Sequence, residues 1–549
     1  MIRPLAALTL AVFPAALLAQ SMPVPTPPKL LVMLAVDQFS ADLFAEYRSR
    51  FRGGLRQLSQ GAVFPSGYQS HAATETCPGH STILTGARPS RSGVIANSWI
   101  DQRSGRATPG VYCAEDVTKG PSSKSGEYVP SPAHLLVPTL GDRMKAANPA
   151  SRVVAVAGKD RAAIMMGGRR TDEIWFLRPT DHVRFETLSG RTRVPQAVAR
   201  QNTAIDAALA TARSELPLGD CTDRSRAIAI GAKKTIGTGT FARASGDKRA
   251  FRASPESDVA TIQLAGDLVD EMKLGRGRAT DLIAVGLSAT DVVGHTYGTG
   301  GSEMCLQLMA LDTMLGTFFD RLDQAGIDYV VALTADHGGH DATERNDENA
   351  LPDADRALPG LSADAVGMAV ARDMSLTKSV LLGDDKSGDM WLDATLSAEQ
   401  RAVALARTVA RYRAHPQVAA VFTAAEIEAA AAPAGPPETW GLIQRAKASY
   451  FRGRSGDFLV ALKPRVMPIP AAVAANSSYV ATHGSIWDYD RRVPILFWRK
   501  GMTGFEQPNG VETVDIAPTL AALIGVQLPA TEIDGRCLDL IAGLASSCR

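Results

Sequence analysis

Short apolar runs without polar alternation recur along the chain at Lys29–Val36, Arg152–Ala157, Asp281–Leu287, Asp328–Thr334 and Val493–Trp498. Runs of this kind predict strands buried on both faces, and the helix-like stretches between several of them predict parallel pairing under two helical layers. The expected fold class is α/β, a doubly wound, mostly parallel central sheet. Two long stretches break the pattern, at about 165–275 and about 345–478, the second containing the Ala- and Pro-rich Ala424–Pro437. They are read as insertions that form a cap or side lobe on one core spanning 20–549.

The first residues follow a different logic. Met1-Ile2-Arg3 precedes an apolar stretch from Leu5 to Leu18 and then Ala19-Gln20-Ser21, the charged, apolar and small-residue order of a cleavable secretory signal over 1–19. The stretch is shorter than the ~20 residues that span a bilayer, and Pro14 interrupts it. A periplasmic or secreted protein, with no membrane span after signal removal, is expected. Of 549 residues, 45% are hydrophobic, which excludes a disordered chain. Lys and Arg total 58 against 57 Asp and Glu, so no nucleic-acid-binding surface is evident. Six cysteines form no CxxC pair, and the export signal permits disulfides. Cys537 and Cys548 share a short C-terminal tail and are the favoured bridge. A monomer is the expectation.

In doubly wound sheets, ligands gather beyond the carboxyl ends of the strands, which directs attention to Asp37, Lys159, Arg161, Asp291, Asp336 and His337. Thr76, followed by Cys77-Pro78, sits at an apparent helix start. A threonine there either caps the helix or, with free amides and the positive end of the helix dipole beside it, attacks phosphorus. Asp291 and His295 are four residues apart, so one helical turn puts both on one face, as a shared metal or a surface ion pair requires. Asp336 and His337 close a buried strand ahead of two glycines, and His483 precedes the last predicted strand. Carboxylate and imidazole donors suit zinc, and a two-metal site stabilises both the attacking and the leaving oxygens. The candidates divide into Asp291, His295 and His483 for one ion, and Asp37, Asp336 and His337 with the Thr76 oxygen for the other.

These motifs resemble those of the alkaline phosphatase superfamily, and most closely the PafA-type bacterial alkaline phosphatases with a threonine nucleophile. The resemblance runs from Lys29 to about residue 340 and resumes from Ser477 through Val514–Leu520 and Asp534–Gly535. It implies two zinc ions, small-molecule phosphate monoesters as substrates and a phosphothreonine intermediate at Thr76. It also implies Asn97 as a donor to a nonbridging phosphoryl oxygen, and Lys159 with Arg161 as the Lys-x-Arg pair that binds the phosphate. A monoester dianion carries more charge than a diester, which is what such a pair would meet. The competing expectation is a nucleotide pyrophosphatase or phosphodiesterase of the same superfamily, sharing Thr76, Asn97 and the metal ligands. Its diester would place a second substituent where the two cations sit. A sulfatase is excluded, since Cys77 is followed directly by Pro78 with no arginine in the required context. The other histidines, His71, His80, His134, His182, His340 and His415, are assigned capping, packing or surface roles.

Overall fold

The computed structural model describes residues 26–106, 108–119, 128–178, 183–190, 193–348, 354–383, 388–542 and 546–548. The expected signal segment 1–19 and His182 lie outside the described residues. All the apolar runs become strands of one ten-stranded sheet. Its principal members are β1 (Leu30–Val36), β2 (Ala62–Tyr68), β3 (Val153–Ala157), β4 (Glu173–Leu177), β5 (Asp281–Leu287), β6 (Tyr329–Thr334) and β7 (Arg492–Arg499). They lie in the order β2-β7-β6-β1-β5-β3-β4. From β6 to β4 every neighbouring pair is parallel. The exception is β7, antiparallel to both β6 and β2. The loop that delivers it already lies at the carboxyl ends of the parallel strands, so β7 must run away from them.

Every residue of β1 is buried, and its side chains alternate between two cores. Val32, Leu34 and Val36 join Leu264 and Leu268 of α3 (Pro255–Glu271) and Leu311 and Phe319 of α5 (Ser302–Gln324). Leu31, Met33 and Ala35 join Ile83 and Leu84 of α1 (Thr76–Thr85) and Ile164 and Met165 of α2 (Asp160–Gly167). Helices therefore cover both faces, as double winding requires. A further helix, α4 (Ala289–Tyr297), follows β5 directly.

Residues 345–478 contain a separate four-stranded sheet (Leu381–Gly383, Asp389–Leu392, Phe458–Leu462, Val418–Thr423). With Val370 and Tyr412 it encloses a core of its own. Residues 165–275 differ from the expectation of a stretch outside the core pattern: they supply β4 to the central sheet and α3 to one of its faces. The run in β4 opens on Glu173 and holds only four apolar residues, against five in β3. Three disulfides, Cys77–Cys113, Cys221–Cys305 and the expected Cys537–Cys548, use every cysteine. Among the described residues, no helix is long and apolar enough to cross a membrane.

Candidate active site and metal centre

The carboxyl ends of β1, β3, β5 and β6 face the start of α1. Asp37 follows β1, Lys159 caps α2 after β3, α4 carries Asp291 and His295 beyond β5, and Asp336-His337 follows β6. Helix α1 packs so closely on the last of these that a side chain at Gly79 would run into the carbonyl of Asp336. Only glycine permits that approach, which sets Thr76 over the strand ends. His483 arrives from the loop ahead of β7. The Thr74 carbonyl accepts its Nδ1 proton at 2.8 Å.

Two clusters result. In the first, Oδ1 of Asp291 lies 3.3 Å from Nε2 of both His295 and His483. His295 donates its other ring proton to the Ala481 carbonyl at 2.8 Å. Both imidazoles are therefore fixed with Nε2 lone pairs aimed at one point, the arrangement in which backbone carbonyls orient metal-binding histidines. In the second, Asp336 Oδ2 lies 3.2 Å from His337 Nε2 and 3.3 Å from His80 Nδ1, and Asp37 Oδ1 lies 3.2 Å from His80 Nε2. Asp291, His295 and His483 could hold one metal ion, and Asp37, His80 and Asp336 another. The clusters adjoin, since the His337 and His483 rings stack with centroids 3.5 Å apart. Lys159 joins them, its Nζ 2.6 Å from both Asp37 Oδ2 and Asp291 Oδ2.

The electrostatics call for cations. Burial works against the Asp291 carboxylate, yet His295 and Lys159 hold its pKa well below the usual range. Burial likewise opposes Asp336, and His337 and His80 outweigh it. His80 is pulled the other way: burial disfavours its charge, but Asp336 and Asp37 raise its pKa to about 10. Burial, reinforced by His337, lowers His483 to about 3, which keeps it neutral as a metal ligand must be. Buried Asp37 Oδ1 and Oδ2, Asp291 Oδ1, Asp336 Oδ2, His337 Nε2 and Thr76 Oγ1 all lack a hydrogen-bond partner. Carboxylate and imidazole atoms that face one another in this way without forming hydrogen bonds, as at Asp291 Oδ1 and Asp336 Oδ2, fit divalent metal ions.

The predicted substrate-binding residues stand beside these clusters. Asn97 is held from two sides: its backbone N–H donates to Glu75 at 2.7 Å, and its side-chain oxygen accepts from Cys77 N–H at 2.8 Å. Arg161 neighbours Asp160, a buried carboxylate that accepts from Tyr112 at 2.9 Å and from Tyr128. Burial opposes the charge of Arg161, but Tyr112 and Asp160 raise its pKa further.

Sequence reasoning missed two features. His80, assigned a packing or capping role, is fully buried and spans Asp37 and Asp336. Its place four residues after Thr76, on the same face of α1, was the available signal. The support of Arg161 by Tyr112, Tyr128 and Asp160 had none, because the tyrosines lie 48 and 32 residues from Asp160 in sequence.

Residues 31–485 match the family described as type I phosphodiesterase / nucleotide pyrophosphatase. The chain belongs to this family. It is 55% identical to alkaline phosphatase PhoK of Sphingomonas sp over 529 residues, covering 95% of this chain and 93% of that protein. It is 47% identical to alkaline phosphatase PhoD of Zymomonas mobilis subsp. mobilis, covering 95% and 89%. The crystal structure of wild-type alkaline phosphatase PafA superposes with a TM-score of 0.81 at 26% identity, covering 95% of this chain and 100% of that one. A PafA variant of known structure is altered at a threonine, an asparagine, a lysine and an arginine, spaced as Thr76, Asn97, Lys159 and Arg161 are here.

Proposed function

We propose that the chain is an alkaline phosphatase that hydrolyses phosphate monoesters through phosphothreonine at Thr76, with two zinc ions as its metal complement. One observation carries this reading. Thr76 Oγ1 is buried without a hydrogen-bond partner at the start of α1, where the flanking carbonyls of Thr74 and Thr76 contact His483 and His80, one histidine from each cluster. Asp291, His295 and His483 would hold one ion. Asp37, Asp336 and His337, with Thr76 Oγ1, would hold the other. His80 has a different task, since its two nitrogens touch both Asp37 and Asp336; it braces the two carboxylates. When bound, the ions neutralise the carboxylates, favour the alkoxide form of the nucleophile and stabilise the departing oxygen.

The chain's own residues do the rest. Thr76 Oγ1 forms the new P–O bond as the ester P–O bond breaks and the alcohol leaves. Water then attacks the same phosphorus, the P–O bond to threonine breaks, and the proton that water loses restores the hydroxyl. Asn97, its oxygen engaged by Cys77, offers its amide protons to a nonbridging oxygen. Lys159, from between Asp37 and Asp291, and Arg161, backed by Asp160, oppose the charge of the dianion. The equivalent spacing of the four residues altered in PafA supports these assignments. Three disulfides suit an oxidising compartment and support an exported, periplasmic or secreted, protein.

The family description favours a second reading, a phosphodiesterase on the same metal core. Hydrolysis of p-nitrophenyl phosphate against bis-p-nitrophenyl phosphate separates the two. The monoester should win, and Lys159→Ala/Arg161→Ala should erode its advantage; a diester preference in the unaltered chain would transfer the assignment to the phosphodiesterase. Acid quenching with phosphorus-labelled monoester should trap label on the unaltered chain and none on Thr76→Ala.

A further inference from the structure

Beside the cluster on α4 stands a cation that the reaction just described does not use. Arg252 ends a short helix, Lys248–Arg252, whose Phe251 is buried in the core. The next helix, α3, begins at Pro255, and its Asp258 accepts the backbone N–H of Ala289, the first residue of α4, at 2.9 Å. The corner bearing Arg252 is thereby fastened against the helix that presents Asp291 and His295. Tyr479 closes the same edge: it stacks on His295, with ring centroids 4.4 Å apart and planes at 11°, and remains 38% exposed.

The neighbouring arginines have anions of their own. Arg213 and Arg243 both reach Glu256, at 2.9 and 2.8 Å, and Lys159 is occupied by Asp37 and Asp291. Arg252 forms no ion pair and its guanidinium no hydrogen bond among the described residues. Burial lowers its pKa, and its electrostatic neighbours are Tyr479, Arg161, Asp160 and Asp291. A half-buried guanidinium that forms no ion pair with the carboxylates around it, and has a second arginine among its neighbours, is an arrangement that an anionic ligand relieves.

We propose that Arg252, with Tyr479 as the adjoining wall, is a specificity residue that selects phosphate monoesters whose leaving group carries a second anionic group a few atoms from the phosphate. This rests on the monoesterase reading, in which Arg161 takes the transferred phosphoryl group and Arg252 takes the additional carboxylate or phosphate. The leaving alcohol lies against Tyr479, on the α4 side of the site, where the departing oxygen is stabilised.

The test compares two substrates that differ by one carboxylate, 3-phosphoglycerate and glycerol 3-phosphate, on the zinc-loaded enzyme. The unaltered chain should favour 3-phosphoglycerate about tenfold in kcat/KM, the scale of one charge-assisted hydrogen-bonded contact. Arg252→Met should bring the ratio close to one, and Arg252→Lys should retain part of it. No preference in the unaltered chain, or an Arg252→Met variant that loses both substrates alike, would overturn the inference. The first of these comparisons needs no variant to fold. Failure to turn over p-nitrophenyl phosphate would overturn the monoesterase reading itself, whereas turnover with an unchanged ratio overturns only the role of Arg252.

Discussion

The side-chain oxygen of Asn97 accepts the backbone N–H of Cys77 at 2.8 Å, and that bond decides which end of the amide is left for a ligand beside Thr76. The residue after Thr76 thus orients the residue proposed to bind phosphate. Asn97→Ala removes the donor and strands the Cys77 N–H, and should lower kcat/KM for p-nitrophenyl phosphate about 10²-fold. Asn97→Asp keeps an acceptor for Cys77 but sets a carboxylate against the phosphate dianion. It should be worse than the alanine variant; equal or better activity would remove Asn97 from the phosphate site.

Much of the site was legible because its residues sit at punctuation in the chain. Asp37 and Asp336-His337 end apolar runs, and Asp291 and His295 show one-turn spacing, so local pattern found them. His80 was passed over because its function depends on α1 lying across Asp336, a contact fixed by Gly79 and invisible without the third dimension. The same holds for Asp160 and its two tyrosines, which no periodicity connects. In the fold, β1, β5 and β6 were legible as fully buried strands, whereas the antiparallel direction of β7 is set by where its incoming loop starts.

Asp258 makes a pH prediction. Burial raises its pKa to about 7, although it accepts from Ala289 N–H and from Gln307. A carboxyl raised on folding binds its proton more tightly in the folded chain. Its stabilising effect is therefore full below the ordinary carboxylate range and is lost as pH rises from about 4 to about 7. Asp258→Asn removes the charge, and Gln307, whose side-chain oxygen has no partner, can turn to meet the new amide. The variant should be more stable than the unaltered chain at pH 8, by ~2 kcal/mol, and equal to it near pH 4. Chemical denaturation at the two pH values measures this; a difference independent of pH would show that folding does not raise the Asp258 pKa.

Metal loading should register independently of activity. If Asp291 organises one cluster and Asp336 the other, Asp291→Ala and Asp336→Ala should each bind about half the zinc of the unaltered chain by elemental analysis. Chelation should abolish turnover and lower the melting temperature, and zinc at ~100 times its Kd should recover roughly 3 kcal/mol of stability. Full zinc content in the Asp291→Ala variant would place the first ion elsewhere.

The Cys77–Cys113 bond couples the two ends of the site. Cys77 follows Thr76, while Cys113 follows Tyr112, which holds Asp160 beside Arg161, and Cys113 N–H donates to the Asn97 carbonyl at 3.0 Å. Thr76, Asn97 and the support of Arg161 thus converge on one covalent link. Its loop spans 36 residues, for which chain entropy predicts a contribution of about 4 kcal/mol to stability. Cys77→Ala/Cys113→Ala should therefore unfold at lower denaturant and also raise KM, because the link registers the proposed nucleophile, Thr76, against the side chains proposed to bind phosphate. Cys537→Ala/Cys548→Ala, in the C-terminal tail, should lose stability and leave KM unaltered. Comparing the two pairs at a temperature where both stay folded separates registration from stability: an unchanged KM in the Cys77→Ala/Cys113→Ala pair would reduce that bond to a staple.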